Sequence, residues 1–210
     1  MGIIHFFSED VILKKGGHKL ISLSAGVSLT YIFLRLFPEF SLGAAENGKF
    51  LFLSVLFGFV LLHLIETHIY QHTPRYKRSR ELYLEDSIIS FIYHFIIGIM
   101  VVNFYNKSFY QGLMFFIPVA LYTSVSTLPV NMTKSTYIKI IIALSTLLGI
   151  IFSTFLLQDI NQLLYLTLLG FIIGTLSFTV TRHLIPKDQK GNPFYFILGV
   201  IIYSVMLLYL

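Results

Sequence analysis

Long apolar runs separated by short polar breaks dominate the chain. Seven runs are 17–22 residues long: Leu20–Phe37, Phe50–Tyr70, Ile88–Phe104, Phe109–Val130, Tyr137–Leu157, Leu163–Thr181 and Phe194–Leu210. A helix needs about 20 mainly apolar residues to cross about 30 Å of hydrocarbon, so each run predicts a membrane-spanning helix. The breaks hold Pro38, Gly43, Gly48, Pro74, Pro186, Gly191 and Pro193, residues that end helices or turn the backbone. Nowhere do apolar and polar residues alternate over the ten-residue stretches of a membrane β-barrel. No break is long enough for a soluble domain. The pattern therefore predicts an all-α integral membrane protein, with residues 1–19 as a cytoplasmic segment and 20–210 as one seven-helix domain.

Composition agrees. Charged residues make up 12% of the 210, hydrophobic ones 56%, and the mean hydropathy is +0.79. A soluble domain carries roughly 25% charged residues, so a soluble enzyme, a disordered chain and a coiled coil are excluded. The absence of cysteine removes disulfides, Cys-ligated zinc, iron–sulfur clusters and a thiol nucleophile. Glu9, Asp10, Lys14 and Lys15 interrupt the short apolar stretches of the first 19 residues, unlike a signal-peptide core.

Positive loops stay cytoplasmic, and the Lys and Arg residues divide twelve to three. One side receives Lys14, Lys15 and Lys19, then the second–third break with Arg75, Lys77, Arg78 and Arg80. The same side takes Lys134 and Lys139, and finally Arg182, Lys187 and Lys190. Arg35, Lys49 and Lys107 fall on the other. This split predicts a multi-pass protein of the cell membrane with its N-terminus cytoplasmic and its C-terminus outside. The net charge of +5 is then mostly a topology signal. Arg75–Arg80 suits anionic head groups of the bilayer, and nothing supports nucleic-acid binding.

Ionisable residues inside a span are functional candidates by default. The second span ends His63-Leu-Ile-Glu66-Thr-His68-Ile-Tyr-Gln-His72, and His94 stands in the third. His63 and Glu66 share a helical face at i, i+3, and imidazole with carboxylate suits zinc, iron or manganese. His63 and His94 are each roughly 10 Å from adjacent helix ends at 1.5 Å per residue, so they are expected to meet at one depth. The same residues are also consistent with an interhelical hydrogen bond between the histidines and an arginine partner for Glu66.

Residues 25–39, AGVSLTYIFLRLFPE, echo residues 173–187, IGTLSFTVTRHLIPK, with Gly26/Gly174, Leu36/Leu184 and Pro38/Pro186 identical. The two spans lie five apart and so cross in opposite directions, as in the inverted repeats of secondary transporters. This pattern resembles the ZIP (Zrt/Irt-like) family of divalent-metal transporters. Ala25-Gly-Val-Ser-Leu to Leu36-Phe-Pro38-Glu39 looks like that family's second helix, Arg35 taking a histidine position, and His183-Leu-Ile-Pro186 looks like the end of its seventh. The first family helix is missing. The resemblance implies a ZIP-like fold, a divalent metal ion such as zinc as cargo rather than a demonstrable cofactor, and a substrate path past Glu39, Tyr93, Ser124 and His183. A homodimer stays open.

The departures are as informative. The metal-ligating motif of the family's fourth helix falls on Tyr93-His94-Phe95-Ile96-Ile97-Gly98, where Ile97 replaces the acid. Its fifth-helix histidines and glutamate fall on VALYTSVSTLPV, residues 119–130, which has none. His63, Glu66 and His94 remain as the metal-site candidates. The expected function is a divergent divalent-metal transporter homologue with a degenerate site, the alternative a non-transporting membrane binding or regulatory protein. An enzyme is not expected, since neither His-Glu-x-x-His nor Gly-x-Ser-x-Gly occurs. Reporter fusions at the two termini are expected to report opposite sides of the membrane; both on one side would contradict the seven-span reading.

Overall fold

The structure is a computed structural model that describes residues 17–125, 136–157, 160–184 and 191–209. These form seven helices, with no strand among the described residues. Helix α1 comprises Gly17–Tyr31, a π turn at Ile32–Leu36 and Phe37–Asn47. A short 3-10 turn, Lys49–Leu51, leads into α2, Phe52–His72. Then follow α3 (Arg75–Lys107), α4 (Phe109–Val125), α5 (Thr136–Leu156), α6 (Gln162–Thr179, extended by a π turn at Val180–Leu184) and α7 (Pro193–Tyr209). By length and composition, His18–Asn47, Lys49–His72, Ile88–Lys107 and Gln162–Arg182 are long and apolar enough to cross a membrane. Phe109–Thr123, Leu144–Leu156 and Pro193–Tyr209 are shorter apolar helices.

Two boundaries differ from the sequence expectation. The first helix does not stop at Phe37 but continues ten residues past it. Pro38 has no N–H to offer the Leu34 carbonyl, and its ring crowds that turn. The widened π turn just before it absorbs the misfit and lets the helix go on. It stops at Gly48, whose φ of 121° belongs to glycine. The second correction concerns the basic break Arg75–Arg80, which is not a loop: α3 begins directly after Pro74. Its 33 residues span about 50 Å at 1.5 Å each, so only its C-terminal two thirds match a hydrocarbon layer.

The helices pack as nested parallel pairs. Along α1 and α7, Ser22 meets Asn192, Lys19 lies over the Tyr195 ring and Tyr31 meets Tyr203, so the two run in the same direction. Along α2 and α6 the contacts advance from Phe57–Phe171 through Phe59–Phe178 to Glu66–Arg182, again in parallel. Phe95 meets Phe152 and the Ile99 carbonyl accepts from Ser153, which aligns α3 with α5. Helix α4 runs against α3, with Phe104 on Phe115 and Tyr93 on Tyr122. Since α1 and α7 are parallel, the first described helix begins and the last ends at opposite faces of the bundle.

Each parallel pair touches backbone to backbone at glycine. A Cβ on Gly26 would strike the Phe196 carbonyl, and one on Gly199 that of Leu23. Gly58 and Gly174 stand in the same relation to Phe171 and Val55, and Gly98 and Gly149 to Thr146 and Phe95. Small residues at such seams let apolar helices approach closely where no hydrophobic force drives them together. Helix α5 relies on this most, because its main neighbour is α3 alone. Gly149→Leu is expected to cost about 1–3 kcal/mol through overpacking and to loosen α5. Limited proteolysis of α5 in detergent checks this; an unchanged cleavage pattern would contradict the seam.

Candidate functional site

Three polar features break the apolar interior. At one end of the bundle α1, α3 and α6 meet on Glu39. Lys107 Nζ donates to Glu39 Oε1 at 2.7 Å, and the Tyr165 hydroxyl donates to the same oxygen at 2.6 Å. Lys107 also donates to the Tyr165 oxygen at 3.0 Å and lies 4.2 Å from the centre of that ring. Arg35 Nε stands 3.5 Å from Oε2. The local reason is the helix continuation past Pro38: the π turn carries Arg35 and the next turn carries Glu39 inward, to the ends of the other two helices. Two cations on one carboxylate leave this knot with a net charge of +1.

At the other end Glu66 of α2 is buried, and Arg182 in the π turn of α6 donates to its Oε1 through Nε at 2.9 Å and Nη2 at 2.8 Å. Tyr165 and Arg182 stand 17 residues apart on α6, hence about 25 Å at 1.5 Å per residue. An ion pair thus closes each end of the bundle.

Between them lies a polar stripe. On α1, Ser24, Ser28 and Tyr31 follow at i, i+4 and i+7, all buried. Tyr31 packs on Phe115 of α4, 6.1 Å between ring centres. Helix α1 shares the direction of α3, since Glu39 meets Lys107 near the C-terminal ends of both, and is therefore antiparallel to α4. Ser24 lies two turns back from Tyr31 and Tyr122 two turns on from Phe115. Each turn is about 5.4 Å, so Ser24 and Tyr122 come level. The Tyr122 ring is 5.7 Å from that of Tyr93. The hydroxyls of Ser24, Ser28 and Tyr93 are buried and have no hydrogen-bond partner. Leaving such a group unpaired costs about 1–3 kcal/mol, and here it occurs three times.

Glu39 Oε2 and Gln111 Oε1 also lack a hydrogen bond, whereas the break in the α4 backbone is made good. Pro118 inside α4 cannot donate to the Met114 carbonyl four residues back. The Tyr203 hydroxyl of α7 donates to that carbonyl instead. Helix α4 therefore runs through Pro118 with its backbone satisfied; Pro129 and the rest of 126–130 lie outside the described residues.

The metal candidates do not converge. His63 is exposed, its ring 6.2 Å from Phe178 of α6. His94 is buried between α3 and α4: Nδ1 lies 2.7 Å from the Ser90 carbonyl and Nε2 lies 3.3 Å from the Thr123 hydroxyl. No hydrogen bond or ring contact joins the two histidines, contrary to the expected meeting at one depth. Their equal distance from helix ends ignored the long N-terminal extension of α3 and the direction in which each side chain leaves its helix. Glu66 takes the arginine expected as its other partner, though from α6. Among the described residues no three His, Cys, Asp or Glu side chains gather to hold a metal ion. Of the path candidates, Glu39 forms the first knot and Tyr93 belongs to the stripe. Ser124 and His183 stand on α4 and in the π turn, but their side chains are outside the described residues.

Sequence reasoning passed over Lys107, Tyr165, Ser24 and Ser28. Lys107 read as a loop charge and Tyr165 as one of 13 tyrosines; the serine spacing of four residues beside Tyr31 was the available signal. No family model matches this chain, and neither do curated proteins or solved structures. Glu39→Gln is expected to cost on the order of 1–2 kcal/mol, discounted for the half-exposed Lys107, and to lower the thermal midpoint in detergent by about 5 °C. An unmoved midpoint would show that the knot carries no weight.

Proposed function

We propose that this chain is a multi-pass membrane protein of secondary-transporter build, a divergent ZIP-like protein whose solute path runs between α1, α3 and α4 and lacks the usual metal ligands. One observation carries the reading. The two π turns, Ile32–Leu36 and Val180–Leu184, stand 148 residues apart, the same offset that aligns Gly26 with Gly174 and Pro38 with Pro186. Exchanging α1 for α6 and α7 for α2 turns the Gly26–Gly199 seam into the Gly174–Gly58 seam. Two antiparallel helices broken at one register, each paired through glycine with its counterpart's neighbour, are what an inverted repeat requires.

The long apolar helices support a bilayer setting. Under the twelve-to-three division of Lys and Arg, the Glu39 knot closes the outer end and the Glu66–Arg182 pair the cytoplasmic end. The path is then occluded, with the Tyr31, Phe115 and Phe104 rings stacked beneath the outer knot. One observation favours the other reading, a non-transporting binding or regulatory protein: Glu39, Glu66 and His94 are all engaged in internal bonds.

The absence of cysteine makes single-cysteine labelling direct. Ser28→Cys in proteoliposomes is expected to react slowly with an impermeant thiol reagent from either side, and about ten times faster from outside once Glu39→Gln opens the knot. A cysteine at this position that stays unreactive in both backgrounds would favour the sealed, non-transporting protein.

A further inference from the structure

We infer that the path takes a small uncharged solute bearing hydroxyl or amide groups, held by the hydroxyls of Ser24 and Ser28 on α1 and Tyr93 on α3; this rests on the transporter reading above. The first ground is the unpaired state of these three groups. Each is at least nine-tenths buried and has no partner, whereas other buried hydroxyls bond backward along their own helix, Thr30 to Gly26 and Thr123 to Val119. Buried polar groups are ordinarily satisfied. Of the five exceptions among the described residues, these three hydroxyls stand on two helices at neighbouring levels and mark a place where something else completes the bonding.

The second ground is the chemistry of that surface. A hydroxyl both donates and accepts, so the three together match a ligand that does the same, such as a polyol or an amide. A charged solute in an apolar interior needs a countercharge or a full shell of ligands. The buried acid among the described residues is Glu66, and Arg182 already neutralises it. His94, on the same level, is held by Ser90 and Thr123. The Glu39 knot and the Glu66 pair stand about 25 Å apart, one toward each end of the stripe, and the acid of each is already paired with a basic side chain. A neutral hydrogen-bonding solute is what this surface stabilises best.

The test is flux into proteoliposomes of the full chain, with glycerol and urea as neutral probes and Zn²⁺, Mn²⁺ and K⁺ as charged ones. Light scattering after an osmotic step reads the first and entrapped indicators the second. Glycerol or urea entry above that of empty liposomes is expected, reduced about tenfold by Tyr93→Phe and by Ser28→Ala. Both substitutions remove an unpaired hydroxyl, so the thermal midpoint is expected to hold or rise, which separates a lost site from a lost fold. Neutral entry untouched by both variants would overturn the assigned site. Entry of ions alone would overturn the solute class while leaving the transporter reading in place. No entry of any probe would overturn both.

Discussion

A polar group buried among apolar helices has no water to bond, so it finds a partner inside the bundle or stays unpaired. The arrangement of the helices follows from that constraint. Pro118 frees a carbonyl, and Tyr203 is placed to take it. Glu39 and Glu66, the acids drawn into the helix junctions, each meet basic side chains from another helix. The glycine seam between α2 and α6 brings those helices close enough for the Glu66–Arg182 bond to span the gap. The hydroxyls of Ser24, Ser28 and Tyr93, with Glu39 Oε2 and Gln111 Oε1, stay unpaired.

The two ion pairs differ in what they hold. Arg182 reaches Glu66 within a pair of helices that already touch along a glycine seam, so this bond reinforces an existing contact. The Glu39 knot joins three helices at one point: α1 through Glu39, α3 through Lys107 and α6 through Tyr165. Its parts are partly exposed, and exposed ion pairs are individually weak. A bond with no backbone-to-backbone glycine seam beside it is suited to opening, whereas a bond backed by such a seam is not. The two π turns are common to both ends, since each sits beside one of the pairs, where a widened turn bends more readily than a regular helix.

Helix number and order were readable because apolar length is a local property. Each of the seven runs holds a helix, and α1 and α7 run parallel. Boundaries set by competing effects were less legible. Pro38 reads as a stop, yet the π turn absorbs it; Arg75–Arg80 reads as a loop because the residues are polar, although nothing in them forbids a helix after Pro74. The candidate site was legible only in part. Glu39 and Tyr93 were picked out by their place in the Gly–Pro pattern, whereas the grouping of His63, Glu66 and His94 assumed that equal depth brings side chains together. Which way each leaves its helix depends on rotation about the helix axis, which is set by seams such as Gly58–Gly174 and lies beyond single-helix spacing. Lys107 and Tyr165 join Glu39 from 68 and 126 residues away, a distance no local pattern records.

Under the proposed reading the two charged closures bound one path, and the Glu39 knot is the one that opens. Spin-label distances in lipid nanodiscs test it most directly, with one label pair spanning α1 and α3 at the Glu39 end and another spanning α2 and α6 at the Glu66 end. The account predicts that Glu39→Gln broadens and lengthens the first distribution by several ångströms and leaves the second narrow, as its glycine seam requires. Two distributions that stay unchanged, or a movement confined to the Glu66 end, would contradict it.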